Sequence, residues 1–134
     1  ESPAELAAAC HLIVTTTPAT APLLRAEWIR PGTHITAVGS DTAEKQELSA
    51  AILSAADCVV ADSLSQCRTR GEIHRALQAG AITEESVVEL GDVIGGRSPG
   101  RVSDEDVTVV DLTGVAVQDL KIAEAVLDAV SLPS

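Results

Sequence analysis

The residues able to do chemistry stand at the ends of short apolar runs. His34-Ile-Thr-Ala-Val38 stops at Gly39, and Asp41 follows two residues later. Gly39 frees the backbone and lets a ligand come close. Asp41 would then hang a free carboxylate over whatever binds there. A partly desolvated carboxylate can act as a general base, which makes Asp41 the candidate for proton transfer. Three more runs end in hydroxyl, small or acidic residues: Thr15-Thr16-Thr17, Asp62-Ser63 and Asp111-Leu112-Thr113-Gly114. In an open parallel sheet, ligands bind in the crevice beyond the carboxyl ends of the strands, and four such ends describe a crevice. Each end also reads as an ordinary turn, because Gly, Ser and Asp are common turn formers. Asp62 and Asp111 read equally well as helix caps. Glu44, Lys45 and Glu47 read as a solvated face, and Glu72, His74 and Arg75 as one side of a surface helix.

Metal and nucleic-acid chemistry have no such support. Cys10, Cys58 and Cys67 lack metal-ligand spacing and read as reduced thiols of a cytoplasmic protein, with Cys58 a small core residue. His11, His34 and His74 form no pair at ligand spacing, so no metal site is expected. The net charge is −11, from 20 acidic against 9 basic residues. That excludes nucleic-acid binding through phosphates and an anionic membrane surface. It leaves room for a nucleotide cofactor held locally by backbone amides and helix N-termini. No apolar run approaches the length of a membrane span, and no signal peptide is recognised.

The elements that must position these residues alternate. Ser2, Pro3 and Glu5 form a helix start with a capping box, predicting a helix over 3–10. Strands are expected at 11–16, 33–38, 58–62 and 107–111. Between them come a connection over 19–32 with a helical turn near Arg25–Trp28 and a Pro31-Gly32 turn, a helix over 49–56, a region opened by Ser63, and a helix over 72–79 closed by Gly80. Thr83 is expected to cap a helix reaching Ile94, followed by a flexible Gly95–Gly100 loop. A last helix spans 115–130. The strands are short and apolar throughout, as strands buried on both faces are. With Trp28 as the one aromatic residue in 134, the core must be Val, Ile, Leu and Ala. The pattern predicts an α/β fold, a parallel sheet covered by helices.

Val14-Thr-Thr-Thr-Pro18, Leu23-Leu24, Trp28-Ile-Arg-Pro-Gly-Thr-His34, Ala37-Val-Gly-Ser-Asp41 with Lys45-Gln-Glu-Leu48, Val60-Ala-Asp-Ser63, Gly71-Glu72, Glu89-Leu-Gly-Asp-Val-Ile-Gly95 and Thr108-Val-Val-Asp-Leu-Thr-Gly-Val-Ala-Val-Gln-Asp119 follow one another in order. Together they resemble the ornithine cyclodeaminase/mu-crystallin family, over almost the whole chain but only the later part of a family member. The resemblance implies a Rossmann domain binding NAD(H) or NADP(H), set beside a substrate-binding, dimerising domain. It implies ornithine cyclodeamination, alanine dehydrogenation or cyclic-imine reduction. Asp41 matches the aspartate that handles protons in the cyclodeaminases, with Ser40 where a second glycine is frequent. That acid favours deamination or dehydrogenation over ketimine reduction. Thr15, Thr16 and Thr17 match threonines lining the cofactor, Val38 and Gly39 the turn beside the nicotinamide, and Thr113 and Gly114 a Ser/Thr-Gly segment near the same ring.

One departure is large. No G-x-G-x-x-G occurs in these residues, so the phosphate-loop half and the substrate domain are expected to lie outside the chain. The reading is therefore one domain over 1–134, a partial Rossmann-like sheet resembling the C-terminal part of the family's dinucleotide-binding domain. The complete protein would act on a small amino acid, while the isolated chain would bind NAD or NADP weakly or not at all. The alternative is a non-enzymatic association module of the same fold. A homo-oligomer is expected, because the first strand leaves an edge of Leu12, Ile13 and Val14. The last helix carries Val115, Val117, Leu120, Ala123, Val126, Leu127 and Val130, too apolar for full solvation.

Overall fold

Helix α1 (Pro3–Ala9) starts as the capping box predicts. Ser2 Oγ accepts the Glu5 amide at 3.3 Å, and the Glu5 carboxylate accepts the Ser2 amide at 2.7 Å. The computed structural model describes residues 2–131. After α1 come β1 (Leu12–Thr15), a 3₁₀ turn (Ala26–Trp28), β2 (His34–Ala37), α2 (Ala50–Ala55), β3 (Cys58–Ala61), α3 (Leu64–Cys67) and α4 (Gly71–Gln78). A second 3₁₀ turn (Glu84–Ser86) leads to β4 (Val87–Glu89), α5 (Leu90–Ile94), β5 (Thr108–Asp111) and α6 (Ala116–Ser131).

All strand pairs are parallel, in the order β1-β2-β5-β3-β4. The α/β expectation holds. The last strand threads between the second and third, so the ends of β2, β5 and β3 lie side by side. Register aligns Ile13, Ile35, Val109 and Val59 in one row and Thr15, Ala37, Asp111 and Ala61 in the next on that face. Both rows are buried, and their apolar members cluster with Ile52 and Leu53 of α2 and Ile73 and Ala76 of α4. The Val, Ile, Leu and Ala core is thus realised.

Two expectations fail here. The helix expected from Thr83 to Ile94 is instead a 3₁₀ turn, a strand and a short helix. Val87 and Val88 pair with Val59 and Val60 of β3, and this tertiary pairing overrides the helix-start signal of Thr83, Glu84 and Glu85. The strands are also not buried on both faces throughout. On β1, Leu12 is 65% and Val14 57% exposed, because no described element covers that end of the second face. α5 reaches only the other half, where Leu90 and Val93 lie near Val60 and Val110. Every residue of α6 from 116 to 130 is exposed. No helix among the described residues is long and apolar enough to cross a membrane, and none of their His, Cys, Asp and Glu residues cluster as a metal site.

Candidate functional site

The predicted site residues gather at the carboxyl ends of the strands, and backbone bonds join those ends. The Val38 amide donates to the Thr15 carbonyl at 2.9 Å, Leu112 to Ala37 at 2.8 Å, and Asp62 to Asp111 at 3.1 Å. Thr15–Thr17, Val38–Asp41, Asp111–Gly114 and Asp62–Ser63 therefore form one continuous rim. An open groove of about 250 Å³ runs along β1 from Pro3 and Leu6 up to Thr15–Thr17.

Beneath the rim lie buried acids whose roles the sequence reading missed. Glu47, expected on a solvated face, is fully buried. It accepts the Thr15 hydroxyl at 2.7 Å, the Thr17 amide at 2.5 Å and the Gly39 amide at 2.9 Å. Glu72, expected on a surface helix, is buried in the first turn of α4. It accepts the Ser40 hydroxyl, the Glu47 amide at 2.6 Å and the Leu48 amide at 3.0 Å. Burial is the main reason its carboxyl sits above the usual range. Both acids stand inside segments that carry the family resemblance, Lys45–Leu48 and Gly71-Glu72. Their identity was in view, but the fold supplies their role.

Of the two acids read as possible caps, Asp111 caps a distant helix, α4, and Asp62 caps none of the described helices but ties two strand exits together. Asp111 reaches from β5 to accept the Ile73 amide of α4 at 2.9 Å. Burial pushes its carboxyl up to about 7, against the lowering effect of that bond. Asp62 accepts the Ser63 amide at 2.7 Å, the Thr113 hydroxyl at 3.1 Å and the Gly114 amide at 2.9 Å, tying the β5 exit to the β3 exit. Ser63 occupies the cap position of α3 without a side-chain cap bond; Glu89 accepts the Leu64 amide at 3.0 Å instead.

Two readings of the rim need correction. The close approach at Gly39 is made by the protein itself: a Cβ there would lie 2.3 Å from the Thr17 carbonyl and 2.5 Å from the Glu47 carboxylate. Asp41 is exposed on the rim but not free, since Lys45 Nζ holds it at 2.5 Å. That hydrogen bond is the main reason its carboxyl lies below the usual range. Among the other predicted residues, Thr16 and Val38 are exposed, Thr17 is half-buried, and Thr15 and Thr113 are buried. His34 lies at the opposite end of β2, bonded to Thr108 at 2.7 Å. His74 bonds the Arg68 carbonyl at 2.7 Å. Cys58 is half-buried rather than fully in the core; Cys67 is buried, which pushes its thiol up to about 12.

A parallel sheet with hydroxyls, glycines and an acid along its strand-end rim defines a Rossmann-like domain. Comparison with known proteins places it further. The sequence matches the ornithine cyclodeaminase/mu-crystallin family over residues 1–132. An uncharacterized cyclodeaminase, y4tK, of Sinorhizobium fredii is 47% identical over 124 residues, covering 92% of this chain and 38% of its own length. A solved archaeal alanine dehydrogenase dimer with bound NAD aligns with a TM-score of 0.90 at 40% identity, over 100% of this chain and 42% of that one. The iminosuccinate reductase of Paracoccus denitrificans in complex with NAD⁺ aligns with a TM-score of 0.87 at 41% identity, over 96% and 39%. The chain belongs to the ornithine cyclodeaminase/mu-crystallin family. It spans about two fifths of the length of these relatives.

Proposed function

We propose that these residues are the nicotinamide-side part of an NAD(P)-dependent cyclodeaminase or amino-acid dehydrogenase, acting in the cytoplasm on a small amino acid. The observation that carries this is the single rim formed by the ends of β1, β2, β5 and β3, with Asp41 on it, in a chain of this family. The NAD complexes of the alanine dehydrogenase and the iminosuccinate reductase support the choice of cofactor.

The rim's chemistry fits the ring end of such a cofactor. The Thr17, Gly39 and Gly114 amides already bond to internal carboxylates, so they are not on offer to an anion. What remains includes the Thr16 hydroxyl and the Val38 side chain, 38% exposed. That surface suits a ring and not a pyrophosphate, in keeping with the lack of a G-x-G-x-x-G motif in these 134 residues. Thr15, Thr16, Thr17, Val38, Gly39, Thr113 and Gly114 would form the seat, and the isolated chain would hold NAD or NADP weakly.

When bound, the nicotinamide supplies the hydride acceptor. Asp41 handles the proton. Lys45 keeps its carboxylate ionised until a substrate ammonium takes the place of the lysine. Asp41 then accepts the ammonium proton as the amine is oxidised to an imine. The test is Asp41→Asn in the natural polypeptide containing these residues. Turnover should fall about 100-fold or more, the usual worth of a general base, with cofactor affinity unchanged. Turnover near wild type would leave Asp41 a loop residue. The exposed β1 edge and α6 favour one second reading, an association module of the same fold, for which that substitution would change nothing.

A further inference from the structure

Glu47 and Glu72 have no part in the proton steps above, yet they are among the most deeply buried side chains of the protein. Neither forms an ion pair among the described residues. Burying carboxyl groups without a cation is costly, so each must be held by what it bonds. Those partners are not scattered. Glu47 takes Thr15, Thr17 and Gly39, the ends of β1 and β2. Glu72 takes Ser40, the next residue along, and the backbone amides of Glu47 and Leu48.

The two residues before Asp41 are therefore each held by a buried acid. Gly39 is fixed by Glu47 through its amide, and its carbonyl accepts the Asp41 amide at 3.1 Å. Ser40 is fixed by Glu72 through its hydroxyl. The clasp is tight: at Gly39 even a methyl group would fall 2.5 Å from the Glu47 carboxylate carbon. Glu47 also sets the distance between the β1 and β2 exits, because one of its oxygens, Oε2, bridges Thr15 and Gly39 while the other takes Thr17.

We propose that Glu47, seated on Glu72, is the positioning residue of the nicotinamide seat. It locks Thr17 and Gly39 into one floor for the ring and aims the segment that carries Asp41. This rests on the reading of the rim as that seat. Neither glutamate touches the reacting atoms; both act through the backbone they hold.

The experiment uses the natural polypeptide containing these residues. Glu47→Gln keeps the volume but turns one acceptor into a donor, which must face the Thr17 amide or the Gly39 amide. Turnover should fall about 100-fold, the loss a misplacement near 1 Å can bring, while KM for the amino acid changes far less. NADH affinity, followed by its fluorescence, should fall about tenfold; ADP-ribose, which lacks the ring, should bind within about twofold of wild type. Thr15→Val removes one donor without loss of bulk and should shift the same readings in the same direction by less. It decides the matter if Glu47→Gln does not fold. Unchanged turnover, or equal losses for NADH and ADP-ribose in a folded variant, overturns the proposal. A crippled Asp41→Asn beside a normal Glu47→Gln overturns this inference alone. Normal turnover in Asp41→Asn brings down the catalytic reading first.

Discussion

Replacing Gly71 by alanine tests whether the acids behind the rim are as closely packed as their distances imply. Gly71 has φ +91°, in the left-handed region. A Cβ there would lie 2.5 Å and 2.9 Å from the two Asp111 carboxylate oxygens and 2.7 Å from the Thr113 methyl. The backbone alone costs an L-residue about 1–2 kcal/mol. The clash adds a second cost. Asp111 can yield by turning away from the Ile73 amide it holds at 2.9 Å, and a buried amide without an acceptor costs about 1–3 kcal/mol. The sum is about 2–5 kcal/mol, a large part of the 5–15 kcal/mol typical of a domain. Two other glycines separate the costs. Gly114 and Gly80 have φ +84° and +65°, but a Cβ at either meets nothing within 4 Å. Alanine there should cost only the backbone part, about 1–2 kcal/mol. Urea denaturation followed by circular dichroism and Trp28 fluorescence reads the difference. With a slope near 2 kcal/mol per molar, the midpoint should drop by about 1–2.5 M for Gly71→Ala and by about 0.5–1 M for the controls. Equal midpoints for all three would mean that Asp111 swings aside freely, and the packing argument would be wrong.

Stability should also depend on pH through Asp111. Its carboxyl is raised to about 7 in the folded chain, chiefly by burial, against about 3.9 when unfolded. The native state therefore keeps a proton that the unfolded chain releases, so this contribution is fully present below about pH 4 and is lost as pH rises to about 7. The span is worth about 4 kcal/mol at most. Asp111→Asn retains an acceptor for the Ile73 amide, so urea midpoints at about pH 5 and about pH 7.5 should differ less than in wild type; an equal difference would refute the assignment. The chain produced alone should self-associate through the exposed β1 edge and α6. Light scattering over a concentration series should show a rising mass that the double change Leu120→Lys, Leu127→Lys lowers, and a constant monomer mass would exclude it.

Local chemistry decided much of this protein. The Ser2–Glu5 capping box sets the start of α1, and Pro31-Gly32 sets a turn with Gly32 at φ +80°. The short β-branched runs over 11–16, 33–38, 58–62 and 107–111 gave four strands, because period and side-chain shape act within a few residues. The ordered segments from Val14 to Asp119 carried the family. Three matters belonged to tertiary structure. Val87–Glu89 becomes a strand only because β3 offers an open edge; alone, its residues follow a helix start. No local pattern says that β5 enters between β2 and β3, since that choice depends on how the whole sheet closes over its core. Finally, Glu47 and Glu72 look like solvated charges in the sequence. They are buried because the donors that compensate them, Thr15, Thr17, Gly39 and Ser40 among them, lie 8 to 32 residues away and meet them only once the strand ends are side by side. A carboxylate's surroundings are set by the folded chain, and the sequence records only that the acid is there.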